Sequence, residues 1–309
     1  MKTICAFAPA TIANVNVGFD VLGLSLSTIG DKVELSPNNT GENKIIEIKN
    51  GPNLPFEADK NCCTVVIRKM QERLNRYLGV NVKINKGFAA GSGLGSSSAS
   101  SAAAAFAFNE LLDKPLKREE LVAFAAEGER IACGSAHLDN VAPAILGGMI
   151  LVHDQDLVRL PLPENLYVVS FFLNIKINTS DARSILKNSV PINILSKQVA
   201  NMGAFVASLY QQDIAMFSRS LNDFAIEPIR KLLIPGFDEM KQQALQNNAL
   251  TFGISGSGPS VFVFAQNKKD ALNINFCLQE ICQNSGIQTQ SYVEPLNNHK
   301  GAFITNYCD

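Results

Sequence analysis

Gly91-Ser92-Gly93-Leu94-Gly95-Ser96-Ser97-Ser98 follows an apolar run, Val80 to Ile84, that reads as a strand. It leads directly into an alanine-rich helix expected over 97–112. Glycines let the backbone take positive φ and approach a ligand without a Cβ in the way. The helix start behind them offers unpaired N–H groups and about half a positive charge. Together these make a cradle for phosphate, with serine hydroxyls placed to cap the helix or to reach a metal ion. Ala102 to Ala105 let that helix pack closely on its neighbours. The same pattern also describes an ordinary capped helix start. It fits neither common nucleotide fingerprint, because no Lys follows the glycines and the G-x-G-x-x-G spacing fails.

Outward from this loop the chain alternates strand and helix signals. Residues 1–7, 21–29, 32–36 and 44–49 read as strands, the last two by alternation of apolar and polar positions. Val65, Val66, Met70, Leu74, Tyr77 and Leu78 recur at helical spacing, predicting a helix over 61–78 that Gly79 ends. A further helix near 117–131 follows Pro115, and 146–152 reads as a strand. Composition turns to Asp, Pro and Glu around 155–165, where a domain boundary is expected. Beyond it come a strand at 166–173, helices near 181–187, 195–211 and 238–247, a strand at 261–265, a helix at 270–284 and a strand near 287–293. The mixture predicts an α+β chain of two layered domains, 1–160 and 161–309.

The bulk composition narrows the function. The 309 residues are 46% hydrophobic and 18% charged, as in soluble globular proteins rather than disordered ones. Lys plus Arg is 27 and Asp plus Glu is 28, so the basic surplus that nucleic-acid binding draws on is missing. The longest apolar run, Ala102 to Phe108, is far short of the ~20 residues of a membrane helix. Pro9, Asn14, Asn16 and Asp20 break up the apolar N-terminus, so no secretion signal is expected. The seven cysteines, Cys5, Cys62, Cys63, Cys133, Cys277, Cys282 and Cys308, are odd in number and form no C-x-x-C pair. They read as reduced thiols of a cytoplasmic protein. His137, His153 and His299 are too scattered for a zinc site.

Two further segments join the loop. Pro9-Ala10-Thr11-Ile12-Ala13-Asn14-Val15-Asn16-Val17-Gly18-Phe19-Asp20-Val21-Leu22-Gly23-Leu24 lies near the start. Phe252-Gly253-Ile254-Ser255-Gly256-Ser257-Gly258-Pro259-Ser260 lies near the end. With Gly93-Leu94-Gly95-Ser96-Ser97 between them, their order and spacing resemble the GHMP kinase superfamily across essentially the whole chain. The first segment is similar to that of the homoserine kinase family in particular. Three other blocks agree: His137-Leu138-Asp139-Asn140-Val141-Ala142-Pro143-Ala144, Thr179-Ser180-Asp181-Ala182-Arg183, and Glu227-Pro228-Ile229-Arg230 followed by Leu233-Ile234-Pro235-Gly236.

The resemblance implies ATP-dependent phosphorylation of the L-homoserine side-chain hydroxyl to O-phospho-L-homoserine, a step of threonine biosynthesis. It implies an N-terminal domain like ribosomal S5 domain 2, a ferredoxin-like C-terminal domain, a last strand that returns to the first domain, and a homodimer. Gly91, Ser92, Gly93, Leu94, Gly95, Ser96, Ser97 and Ser98 would bind ATP, and Ser97 with Glu129 would hold Mg²⁺. Asn14, Asp20, His137, Asn140, Arg183 and Arg230 would bind substrate, with Asn140, Asn14 and Arg183 catalytic. Their chemistry suits an amino acid: two arginines can fork onto a carboxylate and Asp20 can meet an ammonium.

Each of these side chains also has an ordinary reading. Asp20 suits a turn, the arginines and Glu129 suit a solvated surface, and His137 suits a hydrogen-bonded interior. An amide cannot be a general base, so Asn140 points to transfer without a dedicated side-chain base. The sequence departs from the family pattern at Asn16 and Val17, where Gly and Pro are usual, at Ala89 for Pro, and at Ser98 for Ala. Ser98 leaves open which serine meets the metal. Rival readings are a GHMP kinase for another alcohol, such as a mevalonate-type enzyme, and a non-catalytic binding protein of the same fold.

Overall fold

The computed structural model describes residues 2–134, 136–154, 156–297 and 300–308. His299 and the side chain of Cys133 lie outside what is described. The chain builds two sheets. In the first, β1 (Ile4–Ala13) and β2 (Leu22–Pro37) run antiparallel, with Ile4 opposite Leu35 and Ala13 opposite Gly23. β3 (Lys44–Lys49) lies parallel to β4 (Val80–Asn85), joined to it through α1 (Cys62–Leu74). α2 (Ser96–Leu111), α3 (Arg118–Cys133) and α4 (Leu138–Leu146) follow. The hairpin of β5 (Met149–His153) and β6 (Asp156–Leu160) then pairs onto β2.

The second sheet opens with β7 (Tyr167–Leu173), then α5 (Thr179–Ser184), α6 (Ile192–Gln211), α7 (Ile214–Ser220), α8 (Glu227–Arg230) and α9 (Phe237–Gln246). It continues with β8 (Ala249–Ile254), β9 (Val261–Ala265), α10 (Lys268–Asn284) and β10 (Thr289–Pro295). Its spatial order, β10-β7-β9-β8, puts fourth beside first and third beside second, as in a ferredoxin-like sheet. A last strand, β11 (Phe303–Ile304), pairs with β1 at the edge of the first sheet.

Burial explains the layers. α2 carries almost no polarity contrast around its axis, and Ala102, Ala103, Ala104, Ala105 and Phe108 are all fully buried between the first sheet and its neighbouring helices. Small side chains bring its backbone close to β1 and β2, which fixes where its first turn points. A second cluster joins Leu22, Leu24 and Leu26 of β2 to Phe205, Phe217, Phe262 and Phe264, so apolar packing bridges the sheets. Burying each such side chain contributes roughly 1.5–3 kcal/mol. Glu294 adds a polar staple, accepting from the Thr28 amide at 3.0 Å and from the hydroxyls of Ser27 and Thr28.

Several sequence expectations shift. The separate strands at 21–29 and 32–36 are one strand, β2. The first helix stops at Leu74 because Asn75 turns left-handed (φ 51°), four residues before Gly79. The stretch at 155–165 is partly β6, since its polar residues face solvent from an edge hairpin. α4 and β8 carried no signal strong enough to be read. Cys5 and Cys308 form a disulfide, contrary to seven reduced thiols. β11 on β1 carries the chain end back over the first strand, bringing together cysteines 303 residues apart.

Candidate active site

The three glycine-bearing segments meet at one cleft between the sheets. Ser255 Oγ donates to the Gly93 carbonyl at 2.7 Å, and the Ser260 amide to the Ser92 carbonyl at 3.2 Å. The Thr11 amide donates to the Leu94 carbonyl at 2.9 Å, and Asn14 Nδ2 to the Gly256 carbonyl at 3.0 Å. The loop at 91–98 is therefore held from both sides by chain more than 80 residues away in either direction. Gly95 caps α2 at φ 68°, and a Cβ there would lie 2.2 Å from Thr11 Oγ1 and 2.8 Å from Asn140 Oδ1. No side chain among the described residues caps α2, and a helix start of this kind suits an anion.

The cleft is lined by Asn14, Asp20, Gly91, Gly93, Gly95, Ser96, Ser97, Glu129, His137, Asp139, Asn140, Thr179, Arg183, Arg230, Gly256 and Ser257. Ser92, Leu94 and Ser98 of the expected loop sit behind this lining and are buried. Every other candidate residue faces the cleft. Glu129 on α3 is 4% exposed, and its Oε2 accepts from Ser97 Oγ at 2.6 Å and Ser98 Oγ at 2.8 Å. Both serines meet the same carboxylate oxygen. An all-oxygen set beside a phosphate cradle suits a hard cation such as Mg²⁺, which takes one carboxylate plus phosphate oxygens.

The opposite wall carries the charges suited to an amino acid. Arg183 Nη2 donates to both oxygens of Asp20, at 2.8 and 2.7 Å. Arg230, 4% exposed, donates through Nη1 to the Gly256 carbonyl at 2.8 Å. Burial pulls its guanidinium below the usual arginine range. The guanidinium carbons of Arg183 and Arg230 lie 5.6 and 5.1 Å from the Phe19 ring centroid, so one aromatic orients both. A second, more apolar cavity adjoins the loop, lined by Leu54, Pro55, Asn61, Ile84, Lys86 and Ile131 and sharing Gly91, Ser96 and Ser97 with the cleft.

Local sequence explains how these groups are presented. Asn14, Val15, Asn16 and Asp20 all have positive φ (70°, 43°, 59° and 61°), conformations that asparagine and aspartate tolerate and valine resists. The Asn16 amide nitrogen donates to the Leu221 carbonyl at 2.9 Å and to Thr251 Oγ1 at 3.1 Å. That side chain stitches the first segment to the second sheet, giving the Gly-to-Asn departure a structural use. Gly23 lets β2 lie against the first turn of α4, since a Cβ there would meet the Asp139 carbonyl at 1.6 Å. α4 in turn presents His137, Asp139 and Asn140 to the cleft.

Sequence reasoning passed over Phe19, Thr11 and Asp139. Phe19 and Thr11 lay inside a quoted motif but carried no charge to draw attention. Thr11 Oγ1 donates to Asn140 Oδ1 at 2.8 Å, fixing that amide's orientation. Asp139 is 2% exposed, and burial, then Asp20 and Glu129, raise its carboxyl to about 7.

A phosphate cradle facing paired arginines across a two-sheet cleft is the arrangement of a small-molecule kinase. The GHMP kinases N terminal domain model matches residues 61–148 and the GHMP kinases C terminal model matches 205–284. Homoserine kinase of Chlorobium phaeobacteroides is 39% identical over 312 residues, covering 96% of this chain and 98% of that protein. Homoserine kinase of Methanococcus maripaludis is 38% identical over 285 residues, covering 91% and 93%. The crystal structure of homoserine kinase from Cytophaga hutchinsonii superposes with a TM-score of 0.96 at 38% identity, covering 99% and 98% of the chains. Mevalonate kinase of Methanococcus jannaschii shares the fold, with a TM-score of 0.70 at 15% identity, 96% and 98% covered. The chain belongs to the homoserine kinase family of the GHMP kinases.

Proposed function

We propose that the protein transfers the γ-phosphoryl group of ATP to the side-chain hydroxyl of L-homoserine, giving O-phospho-L-homoserine for threonine biosynthesis. The observation that carries this reading is one cleft with an uncapped helix start and Glu129 on one wall, and Asp20, Arg183 and Arg230 on the other. The amides of 91–98 hold the phosphates, and the adjoining apolar cavity takes the base. Arg183 and Arg230 bind the substrate carboxylate and Asp20 its ammonium. For this the Arg183–Asp20 pair opens, each partner exchanging the other for the opposite charge of the zwitterion.

Ser97, Ser98 and Glu129 would hold Mg²⁺, which supplies charge neutralisation at the β- and γ-phosphates when bound. Because Thr11 engages the Asn140 carbonyl, the Asn140 amide N–H groups remain for the cleft. Asn140 then acts as a donor to the reacting oxygens, with Asn14 and His137 completing the hydroxyl's surroundings. The hydroxyl proton passes to a phosphate oxygen or water, and rate comes from positioning and charge stabilisation.

We further propose a division into domains at 1–160 and 161–309, a cytoplasmic location, and no nucleic-acid partner, a reading supported by the net charge of −1. No helix among the described residues is long and apolar enough to cross a membrane. Homodimer formation is supported by an exposed apolar stripe on α6, where Ile192, Leu195 and Val199 are 76%, 47% and 62% exposed. Light scattering on the purified protein tests it.

ADP release with Mg²⁺-ATP, with and without L-homoserine, tests the activity. Homoserine-dependent turnover, absent with mevalonate or L-serine, is the expected result. Turnover of another alcohol in its place would overturn the substrate and leave the kinase fold standing.

A further inference from the structure

Cys62 puts a thiol in the cavity beside the phosphate loop, and no assigned role uses it. It is the first residue of α1, directly after the capping Asn61. With Lys86, Ser96 and Ile131 it lines the cavity of about 520 Å³ that adjoins the cleft, and it is half-buried there. Of the described free cysteines, Cys62, Cys63, Cys277 and Cys282, no other lines that cavity. Cys63, one residue on, belongs to the core of the first sheet and its thiol donates to the Ser100 carbonyl at 3.5 Å.

The surroundings of the Cys62 sulfur are those of an activated thiol. It stands at a helix start, where partial positive charge favours an anion. A Cβ on Gly128 would lie 2.5 Å from Ser101 Oγ and 2.9 Å from the Cys62 carbonyl oxygen, so α1 and α2 meet closely at this point of α3. Ser101 Oγ, fully buried there, has no hydrogen-bond partner among the described residues, and an ionised Cys62 supplies an acceptor nearby. Ser96, 7% exposed on the wall of the same cavity, also has a hydroxyl without a partner among the described residues. A buried hydroxyl left unpaired is costly, so this wall is built for an occupant. Cys63 foremost, then Lys86 and the Ser101 hydroxyl, draw the Cys62 thiol below its usual range against the opposing effect of burial.

From this geometry we infer that Cys62 is a modification site: it takes up a small-molecule disulfide by thiol–disulfide exchange, and the attached group occupies the cavity and excludes ATP. The inference rests on the reading that this cavity takes the base of ATP. In the exchange the Cys62 proton goes to solvent and its sulfur attacks one sulfur of the reagent. The reagent's S–S bond breaks, a bond from Cys62 to that sulfur forms, and the other half leaves as a thiolate that takes up a proton. One disulfide replaces another, so no outside oxidant is consumed, and excess free thiol reverses the step. Nucleotide and adduct compete for one space, so bound ATP shields the thiol.

The test treats wild type and Cys62→Ser with glutathione disulfide near neutral pH, with and without saturating Mg²⁺-ATP, and maps the adduct by peptide mass spectrometry. In wild type the adduct should form on Cys62 ahead of the half-buried Cys277 of α10, and ATP should suppress it at Cys62 but not at Cys277. ATP affinity of the modified protein, read by titration calorimetry, should fall by about tenfold or more and return with excess thiol. Labelling of Cys277 alone, no protection by ATP, or unchanged ATP affinity in protein that carries the adduct would overturn the proposal. Cys62→Ser, referred to its own untreated value, should keep its ATP affinity through the treatment, and an equal loss in the variant would refute the assignment. Mapping and protection on wild type decide the matter alone should the variant not fold. If untreated wild type binds no ATP, the nucleotide reading falls and this inference with it. If it binds ATP and the adduct leaves that binding intact, only the inference falls.

Discussion

Lys86→Met should destabilise the protein sharply and loosen its hold on ATP. Lys86 and Asp31 form an ion pair whose side chains are 2% and 0% exposed, directly behind the phosphate loop. Lys86 Nζ also donates to the Ser96 carbonyl and to Ser100 Oγ, both at 2.9 Å, so it anchors the first turn of α2 to β4. Asp31 accepts from Ser100 Oγ at 2.6 Å and from the Gly87 amide at 3.1 Å.

Removing the lysine leaves Asp31 with those two donors and no counter-charge. Breaking a buried pair from one side costs about 3–5 kcal/mol. At about 2–4 °C per kcal/mol for a unit of this size, the melting temperature should drop by roughly 6–20 °C. The double variant Asp31→Asn/Lys86→Met, which removes both charges, should recover a large part of that loss. Thermal unfolding by circular dichroism measures the stabilities, and calorimetric titration measures ATP affinity. A single variant within about 1 kcal/mol of wild type, or a double variant no better than the single, would refute the uncompensated-charge reasoning.

Three other outcomes are expected. Arg230→Lys should raise the homoserine KM by about tenfold to a hundredfold, because an ammonium cannot reproduce the guanidinium's donors at the buried site; an unchanged KM would contradict the contact. Gly95→Ala must fit a methyl 2.2 Å from Thr11 Oγ1 at φ 68°, so ATP half-saturation should rise by about tenfold or more in steady-state assays. Asp139 is raised from 3.8 to about 7 in the folded protein, so its contribution favours folding at low pH and fades as pH rises through that interval. Asp139→Asn should flatten that part of the unliganded stability curve, by up to about 4 kcal/mol for a roughly three-unit shift, as read from melting temperature against pH.

Much of the site was legible because its chemistry is written in contiguous blocks. Glycines and serines before an alanine-rich run give an anion cradle from local backbone physics alone, and α2 begins at Ser96 as that reading requires. β3, β4 and α10 were placed within a few residues because each buries one face, and β7 and β9 because they are apolar runs buried on both. α4 was missed because it is short and contains Pro143, so local propensity argues against it. β11, which returns to the first sheet as the resemblance implied, carries no local signal of its own, because two residues gain their structure only by pairing with β1.

What the sequence offered by itself, then, is a candidate phosphate cradle and the α+β class, while the polar residues for an amino-acid substrate were picked out by the family resemblance. The first two follow from residue types and short-range spacing. The tertiary structure decided which of these groups meet: Ser97 and Ser98 on one oxygen of Glu129, Arg183 on Asp20, and Phe19 beneath two arginines. It also decided that Asp139 is buried with its Oδ1 unbonded among the described residues and that Cys5 lies beside Cys308. Burial and long-range contact are properties of packed layers. A carboxyl two positions after a histidine reads identically in a sequence whether it faces water or a closed cleft.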